Sequence, residues 1–348
     1  MTIVADRFAH VMGVDTHART HTFSIVDAAT GGVLETAAFP VTAAGMDRAL
    51  AWASRRAPGY AAAVEGTASY GATLTTRLQA AGVTVFEARP PRRAARAGHG
   101  KSDQIDAVAA ARSVLAEPTE LLAQPRSGER RQALQLLLTA RRLIERQRTQ
   151  DRNALTALLR GVELGVDARR ALTAAQLRQI ATWRPRGGDS IAQSVARTEA
   201  IRLAREVQQR GDLLADNQSQ LRQHVTALAP GLLAEQGIGP ITGAVFIAAY
   251  SHHGRIRSEA AFASLAGAAP IPASSGNTDR HRLNRHGDRR LNAALDTVVR
   301  SRLAHDPDTR AYRDRRIAEG KTKRDVRRLL RRYLARHIYR TLKQTLTP

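Results

Sequence analysis

Four carboxylates in the first third of the chain are placed for metal-dependent chemistry. Asp15 and Glu65 each end a short apolar run that is typical of a buried strand. Asp103 and Asp106 lie three residues apart at the start of a predicted helix. Acids so arranged can converge on one point, where Mg²⁺ ions allow them to stay ionised together. We predict a two-metal Mg²⁺ site that activates a nucleophile and stabilises the leaving oxygen of a phosphodiester.

Taken singly, the helix acids have simpler explanations. Asp103 is well placed to favour the dipole of its helix, and Asp106 is typical of a solvated surface group. The occurrence of all four acids in suitable elements favours the metal site.

The elements that must position these acids alternate between strand and helix. They are strands at 11–14, 21–26 and 33–39, a helix at 42–56, a strand at 61–64, a helix near 70–78, a strand at 83–87 and a helix at 102–115. Period-two alternation at 21–26 predicts a half-exposed strand. The order β-β-β-α-β-α-β-α predicts an α/β fold of the ribonuclease-H-like type.

The middle of the chain, 121–230, is predicted to be helical, with long helices at 130–160 and 191–228. Four apolar residues repeat every seven positions: Val207, Leu214, Leu221 and Leu228. This spacing is typical of a coiled coil between chains. An antiparallel helical hairpin within one chain explains it equally well.

Basic charge is concentrated toward the end of the chain. The formal net charge is +23, to which residues 1–120 contribute +1, residues 121–250 contribute +8 and residues 251–348 contribute +14. A codon bias toward arginine would explain the scarcity of lysine, but it would spread the charge evenly. The uneven excess favours nucleic acid as a partner over a membrane surface or an acidic protein.

The last segment, 231–348, is predicted to be mainly helical. The turn 237–240 (GIGP) can grip phosphate through its amides or simply join two helices tightly. Ser275 lies in a small-residue loop; such a serine can attack phosphorus, but Ser-Ser-Gly is also ordinary turn material. A basic helix at 321–340 is predicted to bury one apolar stripe: Val326, Leu329, Leu330, Tyr333, Leu334 and Ile338.

Nucleic acid is predicted to contact basic residues of the first and last segments. These residues are Arg92, Arg93, Arg96, Lys101, Arg280, Arg282, Arg285, Arg289, Arg290, Lys321, Lys323 and Arg324. The chain contains no cysteine, no apolar run long enough to span a membrane and no signal-peptide pattern. These features predict a soluble cytoplasmic protein.

Six strings in order resemble the transposases of the IS110 insertion-sequence family, which are also described as bridge-RNA-guided recombinases. The strings are GVDTHA from Gly13, VEGTASYG from Val64, KSDQIDA from Lys101, GIGPITGA from Gly237, LAGAAPIPASSG from Leu265 and HRLNRHGDRRLN from His281. The resemblance runs from about residue 11 to residue 341. One departure is Ala68, where the family often has Gly.

The resemblance implies a RuvC-like domain at 1–120, a coiled-coil region at 121–230 and a C-terminal transposase domain at 231–348. It places an acidic tetrad on Asp15, Glu65, Asp103 and Asp106, and a nucleophilic serine on Ser275, with Ser274 as the alternative. The implied enzyme cuts and rejoins donor and target DNA through a serine–phosphate linkage. The acids of one subunit would act with the serine of another, in a homo-oligomer (dimer or tetramer) associated with the nucleoid. A guide RNA encoded by the element would select the sequences.

Two other functions fit parts of the sequence. A RuvC-like nuclease using metal-activated water explains the acids but leaves the basic last segment as a binding surface only. A non-enzymatic packaging protein with a decayed nuclease fold explains the charge alone.

Overall fold

The chain folds into two compact units, Met1–Ser127 and Gly128–Pro348. The computed structural model describes residues 1–88, 102–276, 281, 282, 284 and 286–346, with only the backbone of 281. Among these residues, no helix combines the length and the apolar character needed to cross a bilayer.

The first unit is built on a five-stranded mixed sheet. Its strands are β1 (His10–Thr16), β2 (Thr20–Asp27), β3 (Val33–Pro40), β4 (Ala61–Val64) and β5 (Val85–Glu87). Their order in the sheet is β3-β2-β1-β4-β5, and β1 pairs antiparallel with β2 and parallel with β4. The helices are α1 (Val4–Arg7), α2 (Ala43–Arg56), α3 (Ala72–Ala80) and α4 (Asp103–Leu115). Each predicted element is present within a few residues, and α1 is an element that the patterns did not predict.

Helices cover both faces of this sheet. On one face, Phe23 of β2 packs in a core with Met46 of α2 and Leu78 of α3. On the other face, Val26 of β2 packs in a core with Ala111 of α4. The expectation of a half-exposed strand at 21–26 is therefore wrong. The strand is buried throughout that range because α4 covers the face that the polar alternation suggested was open to solvent.

The second unit is helical. Its helices are α5 (Glu129–Gly161), α6 (Ala174–Ala181), α7 (Ile191–Leu228), α8 (Pro230–Ala234), α9 (Pro240–Tyr250), α10 (Glu259–Leu265), α11 (Arg289–His305), α12 (Pro307–Ala318) and α13 (Lys323–Thr345). Two short strands, β6 (Ile271–Pro272) and β7 (His281–Arg282), pair antiparallel. The sequence patterns at 321–340 predicted α13 well, although Tyr333 is half exposed rather than part of the buried stripe.

The long helices α5 and α7 pack antiparallel within the chain. Leu221 lies in one core with Leu134, and Val207 lies in another core with Leu155, so later residues of α7 meet earlier residues of α5. Leu214, between them in the heptad series, is also buried. Three heptad residues are thus buried by their own chain and Leu228 is partly buried in it, as the hairpin explanation requires.

Candidate functional site

The parallel pairing of β1 and β4 brings Asp15 and Glu65 to the same edge of the sheet. Val14 lies opposite Val64, and the Glu65 amide donates to the Val14 carbonyl oxygen at 3.1 Å. Thr16 Oγ1 donates to the Glu65 carbonyl oxygen at 3.0 Å, which ties the turn after β4 to the end of β1. The two acids that the sequence placed at strand ends are therefore neighbours in the backbone framework.

A close approach of α4 to β1 brings the helix acids toward the same edge. Ser102 caps α4 by accepting a first-turn amide on its Oγ, so Asp103 and Asp106 lie in the first helical turn. The helix crosses β1 at Gly13, where a Cβ atom would lie 1.9 Å from the Ala107 carbonyl oxygen. Glycine is therefore required at this crossing.

Three side chains from these elements lie within metal-ligand distance of one another. Asp15, His17 and Asp103 each place one ligand atom so that all three lie within 4.8 Å of each other. His17 Nε2 is 3.0 Å from Asp15 Oδ2 and 3.4 Å from Asp103 Oδ1. Among the described residues, the group contains two of the four predicted metal ligands, whereas Glu65 and Asp106 stand outside it.

His17 is the member of this group that sequence reasoning missed. It lies two residues after Asp15, and period-two alternation places both side chains on the same side of the extended chain. This two-residue spacing is the sequence feature from which His17 could have been predicted. The His17 amide donates to His21 Nδ1 at 3.3 Å, which fixes the start of the loop that carries the His17 ring. His21 is buried, and this burial lowers its pKa.

Negative charge is crowded around Asp15. Burial raises the pKa of the Asp15 carboxyl, the charges of Asp103 and Asp106 raise it further, and the neighbouring His17 opposes these effects. Asp106 therefore acts electrostatically on Asp15 although it lies outside the ligand group. A buried carboxylate that faces other carboxylates and an imidazole nitrogen fits a divalent cation, because the cation removes the repulsion.

The turn after Glu65 is closed by its own backbone. The amides of Ser69 and Gly71 both donate to the Gly66 carbonyl oxygen, at 2.9 and 3.1 Å. Ala68, the departure from the family pattern, is exposed in this turn. The turn is thus held by residues other than Ala68.

Ser275 lies in the connection between β6 and β7. Both Ser275 and the adjacent Ser274 are exposed to solvent. The strand pairing joins Ile271 to Arg282 and so fixes the base of this connection.

Two adjoining clefts lie beside α13, and the smaller of them borders that base. The larger, of about 880 Å³, lies between the start of α11 and the first half of α13, and the smaller, of about 340 Å³, is lined by Pro270 and Arg282. Of the predicted nucleic-acid contacts, Arg289, Lys323 and Arg324 line the larger cleft, and Lys321 lines the smaller with Arg282. Four arginines of α13 that were not predicted also line these clefts: Arg327, Arg328, Arg331 and Arg332.

The remaining predicted contacts do not line the clefts within the described part of the chain. Arg290 is present in α11 but is not among the lining residues. The others lie outside the described residues: Arg92, Arg93, Arg96, Lys101, Arg280 and Arg285.

Polar partners hold the arginines at the floor of the larger cleft. Arg331 donates to Asn292 Oδ1 at 3.1 Å, and burial lowers the pKa of this guanidinium. Arg327 donates to both oxygens of Asp296, at 2.7 and 2.8 Å. These hydrogen bonds fix the orientation of the two guanidinium groups in the cleft.

The turn 237–240 is a tight helix junction. A Cβ atom at Gly237, whose φ is +82°, would lie 3.3 Å from the Val298 carbonyl oxygen on α11. The amides of Ile238 and Gly239 already donate within the chain, to the Glu235 carbonyl oxygen and to Thr242 Oγ1. Because these amides already have acceptors within the chain, the turn is better explained as a helix junction than as a phosphate-binding site.

Comparisons with known proteins match two regions of the chain, one with the acidic group and one with the serine loop. A family model for DEDD transposases of the IS110 type, described as "Transposase", matches residues 12–163. A second model, described as "Transposase IS116/IS110/IS902 family", matches residues 231–314. The "Insertion element IS900 uncharacterized 42 kDa protein" of Mycobacterium paratuberculosis is 35% identical over 135 residues, which are 37% of this chain. The match spans 33% of the length of that relative.

Proposed function

Because the chain belongs to the IS110 family of transposases, we propose that it cuts and rejoins DNA as the transposase of an insertion sequence. The observation that carries this proposal is the convergence of Asp15 and Asp103, from distant positions in the sequence, at one end of β1. The concentration of arginine around the C-terminal clefts supports DNA as the substrate.

The first unit is proposed to be a RuvC-like catalytic domain. The mixed sheet order, with Asp15 and Glu65 at adjacent parallel strand ends, supports this assignment. Asp15 and Asp103 would hold Mg²⁺, and Glu65 and Asp106 would complete a two-metal site. When bound, such ions supply Lewis-acid stabilisation of charge on phosphate oxygens.

Ser275 is proposed to be the nucleophile, with Ser274 as the alternative. Its Oγ loses a proton and bonds to phosphorus, while a phosphorus–oxygen bond of the DNA breaks and the departing oxygen takes up a proton. In rejoining, a DNA hydroxyl attacks the same phosphorus and releases the serine. Arg282, at the base of the connection that carries Ser275, would bind the DNA backbone.

The complete enzyme is proposed to be a homo-oligomer that works with a guide RNA. The acids of one copy would act with the serine of another, and RNA pairing would select donor and target DNA. The family membership and the basic C-terminal surface support this proposal. RNA that copurifies with the full-length protein and pairs with both DNA junctions is the expected finding.

Trapping of covalent protein–DNA adducts under denaturing conditions tests the serine mechanism. The wild-type protein with Mg²⁺ should form an adduct, Ser275→Ala should abolish it, and Ser274→Ala should leave it unchanged. Loss of the adduct only in Ser274→Ala would move the nucleophile to that residue. Cleavage of DNA with no adduct in any variant would instead support a RuvC-like nuclease that uses water.

A further inference from the structure

We propose that His17 is a direct nitrogen ligand of the divalent cation at the acidic site, which makes the site a mixed imidazole–carboxylate centre. This inference rests on the proposed metal centre and adds a ligand that the acidic tetrad does not contain.

The first argument is the spacing of the donor atoms. Two ligands at right angles around an ion with bonds of about 2.1 Å are about 3.0 Å apart. His17 Nε2 lies 3.0 Å from Asp15 Oδ2 and 3.4 Å from Asp103 Oδ1. Each separation suits a nitrogen that shares an ion with an aspartate oxygen, and all three donor atoms lie within 4.8 Å of one another.

The second argument is the way the ring is presented. The His17 amide is anchored to His21 Nδ1, and the next strand begins at Thr20. The short connection between β1 and β2 therefore confines the imidazole to the end of β1, next to Asp15. The His17 side chain is 51% exposed, so an ion and its water ligands can reach the nitrogen.

The third argument concerns Asp15 and what surrounds it. Asp15 is 7% exposed and faces the charges of Asp103 and Asp106. His17 Nε2 bonds to Asp15 Oδ2 and lies 3.4 Å from Asp103 Oδ1, so the imidazole lies between the two aspartates. A cation at this position would therefore meet the imidazole nitrogen and the oxygens of both aspartates together.

A nitrogen ligand changes the preference of the site among metals. Carboxylate and water suit Mg²⁺, whereas imidazole favours first-row transition metals. The mixed set should bind Mn²⁺ more tightly than Mg²⁺ by a margin that depends on His17.

The test uses the full-length protein and Mn²⁺ alone as the probe. Pulsed electron paramagnetic resonance detects coupling between bound Mn²⁺ and a ligand nitrogen, and a titration gives the Mn²⁺ and Mg²⁺ affinities. The wild-type protein should show nitrogen coupling. His17→Ala should lose the coupling and weaken Mn²⁺ binding about tenfold, with a smaller effect on Mg²⁺.

Two controls make the result interpretable. His305→Ala removes an exposed histidine from α11 in the other unit and should change neither measurement. His17→Asn should behave like His17→Ala, and circular dichroism should show both variants folded. The role of His17 alone would be contradicted by either of two results. One is tight Mn²⁺ binding without nitrogen coupling in the wild type, and the other is coupling that persists in His17→Ala. Failure of the wild type to bind Mn²⁺ would overturn the proposed metal centre together with it.

Discussion

At the residue scale, Asp15 combines burial with unfavourable charge. Its carboxyl is almost fully buried and is repelled by Asp103 and Asp106, and His17 offsets part of that repulsion. Clusters of like charge lower the stability of the folded protein when no cation is bound. A cation that binds only the folded state raises that stability.

Asp15→Asn tests this balance. In EDTA the variant should melt about 2–4 °C above the wild type, because one of the repelling charges is gone. Addition of Mg²⁺ should raise the Tm of the wild type and leave that of the variant unchanged. Differential scanning calorimetry measures both effects, and a variant that melts below the wild type in EDTA would show that the His17 bond outweighs the repulsion.

A second residue-scale prediction concerns the ion pair between Arg197 and Asp189. Arg197 donates to both oxygens of Asp189, at 2.6 and 2.9 Å, and lies over the Trp183 ring. The hydrogen bonds from Arg197 hold the pKa of Asp189 below its ordinary value. Because the folded-state pKa is depressed, the stabilisation is complete above the ordinary value of 3.8 and is lost as pH falls through the folded pKa.

Asp189→Asn should therefore lower the Tm at pH 7 by several degrees, and the difference from the wild type should shrink below pH 4. Calorimetry across this pH range measures it. Asp212→Asn, at an exposed position of α7, is the matched control and should follow the wild type at every pH. A difference that stays constant down to pH 2 would contradict the assignment of the effect to Asp189 ionisation.

At the element scale, the site depends on the crossing of α4 over β1. Gly13 leaves the space into which the backbone of α4 fits, and this contact sets the position of Asp103 relative to Asp15. Gly13→Ala should cost about 3 kcal/mol of unfolding free energy, since the backbone must shift. It should also weaken Mn²⁺ binding.

Chemical denaturation and the Mn²⁺ titration measure the two effects of Gly13→Ala. Gly187→Ala is the control, because a Cβ atom there meets open space. Unchanged metal binding in a destabilised Gly13→Ala protein would mean that the helix position does not govern the site.

The α5–α7 hairpin leads to a second prediction at this scale. Leu221 is fully buried against α5 of the same chain, so Leu221→Ala should cost about 3 kcal/mol without changing the oligomeric state. Leu136→Ala, at a site that is 65% exposed, should cost less than about 0.5 kcal/mol. Denaturation and light scattering measure the two properties. If Leu221→Ala instead dissociated an oligomer, the result would favour an intermolecular coiled coil over the hairpin.

At the scale of the whole molecule, charge is divided between the units. Residues 251–348 contribute +14 of the net charge of +23, whereas the acids of the candidate metal centre belong to the first unit. The proposed division assigns phosphate binding mainly to the second unit. The logarithm of the binding constant falls linearly with the logarithm of the salt concentration, and the slope measures the number of phosphates neutralised.

The double variant Arg289→Ala/Arg324→Ala should weaken duplex DNA binding and reduce that slope by about 1.8, the value for two lost phosphate contacts. Fluorescence anisotropy between low and moderate salt measures it with the full-length protein. Arg142→Ala, at an exposed position of α5 outside both clefts, should reduce the slope less than either cleft substitution alone. If Arg289→Ala, Arg324→Ala and Arg142→Ala each reduced the slope equally, the clefts would not be the DNA-binding surface.

The sequence by itself predicted most elements of the first unit and pointed to four candidate acids. Strand and helix periodicities located β1, β4 and α4, because local patterns of apolar side chains reflect which faces are buried. The capped start of α4 was readable too, since Ser102 and the two acids of the first turn are adjacent in the chain. The charge gradient can also be read from the order of basic and acidic residues along the chain.

Only the tertiary structure decided which side chains meet. Periodicity did not reveal that α4 would cover β2, that α7 would bury its heptad residues against α5, or that Arg331 would lie in a cleft with Arg289. His17 shows the reason most clearly: its distance from Asp103 is set by the crossing at Gly13, which joins segments some 90 residues apart. Contacts of this kind depend on how packed elements fill space, and a one-dimensional pattern does not contain that information.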